Sequence, residues 1–372
     1  MTLDDVVDEF RRHLWLPDLG VLYVTLGTVV ANRLPGDPVW LLDIGSSSMG
    51  KSEVLGALRN LPEFHAVSTF SEAGLVSAAP DGTPGLLKEM GEFGLLVFSD
   101  LTTILSKHKP DHEGALGCLR EVYDGHYVRR AGHRGGPAEW EGKVGLIAGV
   151  TEAIDDFEFG QLGERFVRYR LPALTAADVE ETTSLIMEDV HGRPLHRKGL
   201  ADTVAKLMGS LDLPEHPPAL APMESLRLST LVGLGTQCRS PVVRDTYKGD
   251  DIRRVPVPEG PGRMLTQLAQ LVAGMRVVGV PDDEVWRLAA KVALDGMHPM
   301  RRQVLGVLVD ADRRLTTATV AGKCALPQTS VRRHLQDLAA HGVLTMTWES
   351  PETWGVSNRT MGQWWALEGG CE

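Results

Sequence analysis

The chain has 372 residues, 43% apolar and 23% charged, which suits two or three soluble globular domains. Its longest apolar stretch, residues 19–31, is broken by Gly and Thr and is too short to span a bilayer; the acidic start Met1-Thr2-Leu3-Asp4-Asp5 lacks a signal-peptide pattern, so no membrane contact and a cytoplasmic location are expected. The formal net charge of −11 argues against a general nucleic-acid coat, and four scattered Cys without C-x-x-C spacing point to reduced thiols rather than a disulfide frame or zinc site.

Residues 3–16 and 19–34 read as helices separated by Pro17, and Pro35-Gly36-Asp37-Pro38 ends this N-terminal helical segment, 1–38. Val39 to Ile44 reads as a buried strand. Gly45-Ser46-Ser47-Ser48-Met49-Gly50-Lys51-Ser52 follows, and it fits G-x-x-x-x-G-K-[ST]. The glycines let successive N–H groups turn toward phosphate oxygens. Lys51 places a charge near the β- and γ-phosphates, and the Ser52 hydroxyl is a ligand for Mg²⁺. Helical spacing from Glu53 to Arg59 completes strand, loop and helix, and the helix start adds anion affinity.

Phe64–Phe70 reads as a second strand, Ser71–Val76 as a short helix and residues 79–85 as a loop. Residues 94–100 form an apolar strand ending in Asp100, which is placed to hold Mg²⁺ beside the phosphate loop. The common ending is Asp-Glu; here Ser99 precedes Asp100 and Leu101 follows. Either Asp100 holds the metal and the base comes from elsewhere, with Glu72, Glu121 and Asp124 as candidates, or Asp100 is itself the base. Residues 117–123 read as a helix. Residues 127–140 read as a β-hairpin whose tip carries Arg129, Arg130, His133 and Arg134, either a phosphate contact or a solvated turn. Val144–Val150 is a buried strand ending at Thr151, and residues 162–172 form another with Arg165 at its entrance.

Helical patterning then continues to about residue 296, with a proline-rich stretch at 214–222 and an amphipathic helix opened by Arg263. The tail, 297–372, reads as helices at 300–309, 316–325 and 329–342, a strand at 343–348 and a second strand at Trp364-Trp365-Ala366-Leu367. Helix, helix, turn, helix and hairpin make a winged helix-turn-helix. Its third helix turns Ser330, Arg332, Arg333 and Gln336 outward for DNA, with Val331, Leu335 and Leu338 inward. Such domains also dock proteins.

Phosphate loop, acid-ended strand, basic hairpin, strand ending at Thr151, Gly-Glu-Arg-Phe and helical stretch, in that order, resemble an AAA+ P-loop ATPase of the pre-sensor-1 hairpin clade. That clade includes superfamily 3 viral helicases, minichromosome-maintenance helicases and bacterial enhancer-binding activators. The resemblance implies an α/β fold: a parallel-sheet ATPase core at 39–172, a helical lid at 173–296 and a C-terminal winged-helix domain. It implies ATP and Mg²⁺ as ligands, Thr151 at sensor 1 where the family commonly has Asn, and Arg165 as a finger reaching a neighbour's ATP. Arg263 looks like the sensor 2 Arg. A finger in trans implies a homo-oligomeric ring, six subunits being the family expectation. The function so implied is an ATP-driven, DNA-acting ATPase, a helicase or helicase-like replication protein of a phage or plasmid. The alternative is an ATP-switched DNA-binding regulator or helicase loader. A metabolic kinase is disfavoured by Arg165, Arg263 and the basic hairpin.

Overall fold

The fold comes from a computed structural model that describes the chain except at residues 70, 77–84, 103–108, 130–137, 157–164, 189–190, 246–250, 312, 349 and 368–372. Two helices open it, Leu3–His13 (α1) and Gly20–Arg33 (α2). Thr2 starts α1 with a reciprocal cap: its hydroxyl accepts from the Asp5 N–H, and the Asp5 carboxylate accepts from the Thr2 N–H. In α2, 12 of the 14 residues are buried. A helix apolar on every side belongs inside a core.

The strands are β1 (Trp40–Ile44), β2 (Phe64–Ala66), β3 (Phe93–Phe98), β4 (His126–Arg129), β5 (Ala138–Glu141), β6 (Lys143–Val150) and β7 (Phe166–Arg170). Five of them form one all-parallel sheet, β2-β3-β6-β1-β7. Every residue of β1 and all but the first of β6 are buried, as expected when helices cover both faces. Trp40 ties the sheet together: its indole N–H donates to the Val144 carbonyl at 2.7 Å, and its ring meets Tyr123 edge-on at 5.0 Å. β4 and β5 form the expected hairpin just ahead of β6. The strand read at 64–70 is only three residues long, β3 stops two residues before Asp100, and the helix after the phosphate loop (α3, Lys51–Gly56) is shorter than its apolar pattern.

The chain divides into two compact units: Met1–Ala219 with Thr266–Ala289, and Leu220–Leu265 with Ala290–Glu372. This two-unit division is coarser than the four expected segments. The N-terminal helices belong to the sheet-bearing unit, because α2 is part of its core. Residues 266–289 belong there too. Gln270 Nε2 donates to the Ala31 carbonyl (3.0 Å) and the Pro35 carbonyl (2.8 Å), and Gln267 Nε2 donates to the Arg165 carbonyl at 2.6 Å. The backbones meet closely: a Cβ on Gly274 would lie 2.1 Å from the Gly27 carbonyl oxygen.

In the second unit the helical reading of 173–296 misses a two-stranded pair, β8 (Val243–Arg244) and β9 (Ile252–Arg254). Three helices (Pro299–Ala311, Thr317–Cys324, Gln328–Ala340) pack with a small antiparallel sheet. Its order is β10-β12-β11, with β10 Leu315–Thr316, β11 Leu344–Thr347 and β12 Thr353–Val356. The strand expected at 364–367 is instead the end of a helix, Asn358–Leu367. The Ser357 hydroxyl accepts from the Thr360 N–H and starts that helix, and Trp354 supplies the buried aromatic of the second strand. Cys118 in the first unit, and Cys238 and Cys324 in the second, are buried. Among the described residues no helix is long and apolar enough to cross a membrane.

Charge is divided unevenly. Of the chain's 38 Lys and Arg and 49 Asp and Glu, 16 and 13 fall in the second unit, leaving 22 and 36 in the first. The acidic balance is therefore a property of the sheet-bearing unit.

Gly274→Ala is expected to destabilise the protein by about 1–3 kcal/mol, because the methyl must force two helix backbones apart. Gly306→Ala, whose Cβ meets open space in a helix, is expected to stabilise by about 0.5–1 kcal/mol. Urea unfolding of both variants tests the opposite signs.

Candidate functional site

Parallel strands deliver their C-terminal ends to one edge of the sheet, and three of those ends build a cleft. β1 leads into the 45–52 loop, β3 into Ser99 and Asp100, and β6 into Thr151. Two loop residues take left-handed backbone, Ser48 (φ 65°) and Gly50 (φ 83°). Glycine tolerates this; at Ser48 it is a strained conformation of the kind that collects at ligand sites. Gly50 forms the N-terminal boundary of α3.

Lys51 is buried and folds back under its own loop. Its Nζ donates to the carbonyls of Gly45 and Ser46, both at 2.6 Å. Burial pushes its pKa down, opposed by the charges of Asp43, Asp100 and Glu152. Ser52 and Asp100 are exposed to the cleft. The Asp100 carboxylate accepts from the Thr102 N–H (2.9 Å), and Thr102 Oγ1 accepts from the Thr151 N–H (3.0 Å). These two bonds join the ends of β3 and β6. The carrier Thr102 lacked any sequence signal beyond its nearness to Asp100.

The cleft, about 420 Å³, lies within the first unit. Its lining runs from the phosphate loop, Asp100 and Thr151 to His13 and Trp15 beyond α1, and to Ile186, Arg193, His196 and Arg197. The helix Arg193–Ser210 begins with Pro at its first turn, which presets the backbone there. Arg193 and Arg197 stand four apart on one face and both reach Glu53, directly after Ser52, at 3.2 and 2.6 Å. Hydrogen bonding by Arg197 draws the Glu53 pKa down, and Glu53 raises that of Arg197. His13 and His196 stack with ring centroids 3.8 Å apart.

Other expected residues sit elsewhere. Arg263 is exposed at the start of the helix Gly262–Val278, in the second unit, and is not among the residues lining this cleft. Arg193 and Arg197 line the cleft instead, and the faint sequence signal for them was the Arg-Pro start with a second Arg one turn on. Arg165 does not project outward. It is buried, pairs with Asp124 at 3.0 Å and lies over the Tyr123 ring. Glu72 accepts from the Tyr127 hydroxyl at 2.9 Å. Glu72, Glu121 and Asp124, the three candidate bases, are not among the cleft-lining residues. Arg129 is described in backbone only, and Arg130, His133 and Arg134 lie outside the described residues.

On the helix Gln328–Ala340, Arg332 and Arg333 are exposed, whereas Ser330 and Gln336 are half-buried. Arg332 pairs with Glu352 (2.6 Å), and Gln336 Oε1 accepts from Arg244 at 3.2 Å. Val331, Leu335 and Leu338 face the core as expected.

Asp43, two residues ahead of Gly45, was not anticipated. It is fully buried in β1, one oxygen accepts from Thr25 Oγ1 (3.2 Å), and the other has no hydrogen-bond partner. Desolvation raises its pKa to about 7, against the Thr25 bond and the Lys51 charge, which lower it.

Scanned against protein-family models and searched among curated proteins, the chain finds no match.

Because the folded-state pKa of Asp43 is raised, its protonated form stabilises the protein at low pH, and this is lost as pH rises from near 3.8 to about 7. Asp43→Asn does not titrate. Its stability relative to wild type is expected to climb across that window, by up to about 1.4 kcal/mol per pH unit, and to level off above it. Denaturant titrations of both proteins at pH 5, 6, 7 and 8 read the difference.

Proposed function

We propose that the chain is an ATP-dependent, DNA-acting ATPase of the AAA+ type, working as an oligomer in the manner of a DNA helicase or helicase-like replication protein. The observation that carries this reading is the cleft at one sheet edge. There the phosphate loop, Asp100 and Thr151 converge from β1, β3 and β6. The sheet order supports it as well: β6 lies between the loop-bearing strand and the acid-bearing strand, as the sensor strand does in that class.

In this reading the loop N–H groups cradle the phosphates and Lys51 leaves the Gly45 and Ser46 carbonyls for phosphate oxygens. Ser52 and Asp100 are hard oxygen donors on one cleft, a set that suits Mg²⁺, which binds through few protein ligands plus phosphate. Mg²⁺ would neutralise phosphate charge when bound. Among the described residues no cluster of three or more His, Cys, Asp or Glu offers a rival metal site. Arg193 and Arg197, now on Glu53, are placed to exchange that carboxylate for a phosphate. Thr102 holds the acid-bearing turn, and Thr151, which lines the cleft, presents its hydroxyl to the attacking water. Arg165 would act on a neighbour's nucleotide only by giving up Asp124, so assembly and hydrolysis are coupled through that pair. The second unit is read as a winged helix that docks DNA through Arg332 and Arg333, and its charge balance supports this. The β4–β5 hairpin is read as the translocating element.

One observation favours the alternative, an ATP-switched regulator or loader. No carboxylate follows Asp100, and the candidate bases Glu72 and Asp124 are engaged by Tyr127 and Arg165. Slow turnover would suit a switch.

ATP turnover at fixed salt, measured against protein concentration with and without single-stranded DNA, tests the proposal. A more than linear rise with concentration and stimulation by DNA are expected. Tight ATP binding with negligible turnover under all conditions would favour the switch. Lys51→Ala is expected to lose nucleotide binding. Arg165→Ala is expected to keep binding and lose turnover by about 10³-fold or more, and equal loss of both would remove its assignment as a finger.

A further inference from the structure

Trp348 is 82% exposed, the most exposed aromatic side chain among the described residues. Tryptophan is usually well covered, because its ring buries more apolar area than any other side chain. Here the strand carries it past its core. Leu344 of β11 is buried and Met346 packs on the second unit's core. Trp348, next in the period-two alternation, follows the end of β11 with no core beneath it.

Its place is fixed from both sides. Thr347 at the end of β11 pairs with Thr353 at the start of β12. The residue before Thr353 is Glu352, whose carboxylate holds Arg332 of the helix Gln328–Ala340 at 2.6 Å. The hairpin end that presents Trp348 is therefore tied to the helix face that exposes Arg332 and Arg333. Within one unit, an exposed indole and two exposed guanidinium groups sit on elements that share a core and are linked by the Arg332–Glu352 ion pair.

An exposed aromatic on a hairpin tied to a helix that exposes arginines has a natural partner in nucleic acid. The arginines take phosphate and carry no preference for pairing state. The indole needs a flat apolar face, and a base in an intact duplex has both faces covered by its neighbours. Unpaired bases leave one open. We infer that Trp348 stacks on an unpaired base, so that this hairpin end binds where duplex gives way to single strand. The inference rests on reading the second unit as the DNA-docking unit. It adds the pairing state recognised and the residue that recognises it.

The test uses the full chain and two labelled probes, a forked duplex with single-stranded arms and the same duplex blunt-ended, with affinities read by fluorescence anisotropy over a salt series. The wild type is expected to prefer the fork. Trp348→Ala is expected to bind the fork about 5-fold or more weakly while leaving blunt-duplex affinity and the salt slope as in wild type, since no charge is removed. Trp348→Tyr, still aromatic, should recover most of the fork affinity. Arg332→Ala combined with Arg333→Ala should weaken both probes and flatten the salt slope. If Trp348→Ala binds the fork as wild type does, or weakens both probes equally, base stacking by Trp348 is wrong. If that variant changes only self-association, seen by sedimentation, the ring packs on a second copy and the inference fails. If wild type binds neither probe, the DNA reading of the unit falls first and Trp348 falls with it.

Discussion

Burial of β1 on both faces, between β6 and β7, is the constraint on which the rest of the site depends. A strand enclosed in this way cannot shift register without exposing its apolar residues, so the point where it ends is fixed. The phosphate loop begins at that point. β6 is held equally firmly beside it, so Thr151 has a fixed height relative to the loop. Asp100 is less constrained by the sheet, because β3 ends at Phe98, and the Thr102 bridge to Thr151 supplies what the strand does not. Placement of the cleft's side chains comes here from a rigid element where one reaches, and from a short polar relay where it does not.

Charged groups crowd the cleft and the strand beneath it. Lys51 rests on two carbonyl oxygens rather than a carboxylate, and Asp43 lies buried beneath the loop with an oxygen unsatisfied. Glu53 collects two arginines. The first two arrangements are costly, since burial disfavours the charged form of both Lys51 and Asp43, whereas the Glu53 cluster is mutually favourable, with the Glu53 pKa drawn down and that of Arg197 raised.

Some of this was legible in the residues. The turn at 45–52 was legible, because the left-handed backbone of Gly50 is a local requirement that its place in the pattern supplies. The parallel core was legible because strands buried on two faces become continuous apolar runs, as at 144–150. Arg193 and Arg197 were not, since their role arises from one helix crossing to Glu53, far away in sequence. Arg165 looked like an outward finger because its motif carries no hint of Asp124 beside it in space. The run at 364–367 misled because four apolar residues fit a strand or a buried helix turn equally well. There the Ser357 cap, seven residues earlier, was the better signal. The inclusion of residues 266–289 in the first unit depended on Gly27 and Gly274, a close helix approach that no periodicity reports.

The three buried thiols divide between the units, Cys118 in one and Cys238 and Cys324 in the other. Burial pushes the Cys238 thiol up to about 12, so almost none of it is thiolate near neutral pH. An alkylating reagent can then react only when the surrounding packing opens. The chain thus carries its own pair of clocks: the rate at which Cys118 is modified times the opening of the sheet-bearing unit, and the rate at Cys238 times that of the other. Mass spectrometry of tryptic peptides would separate the two after alkylation.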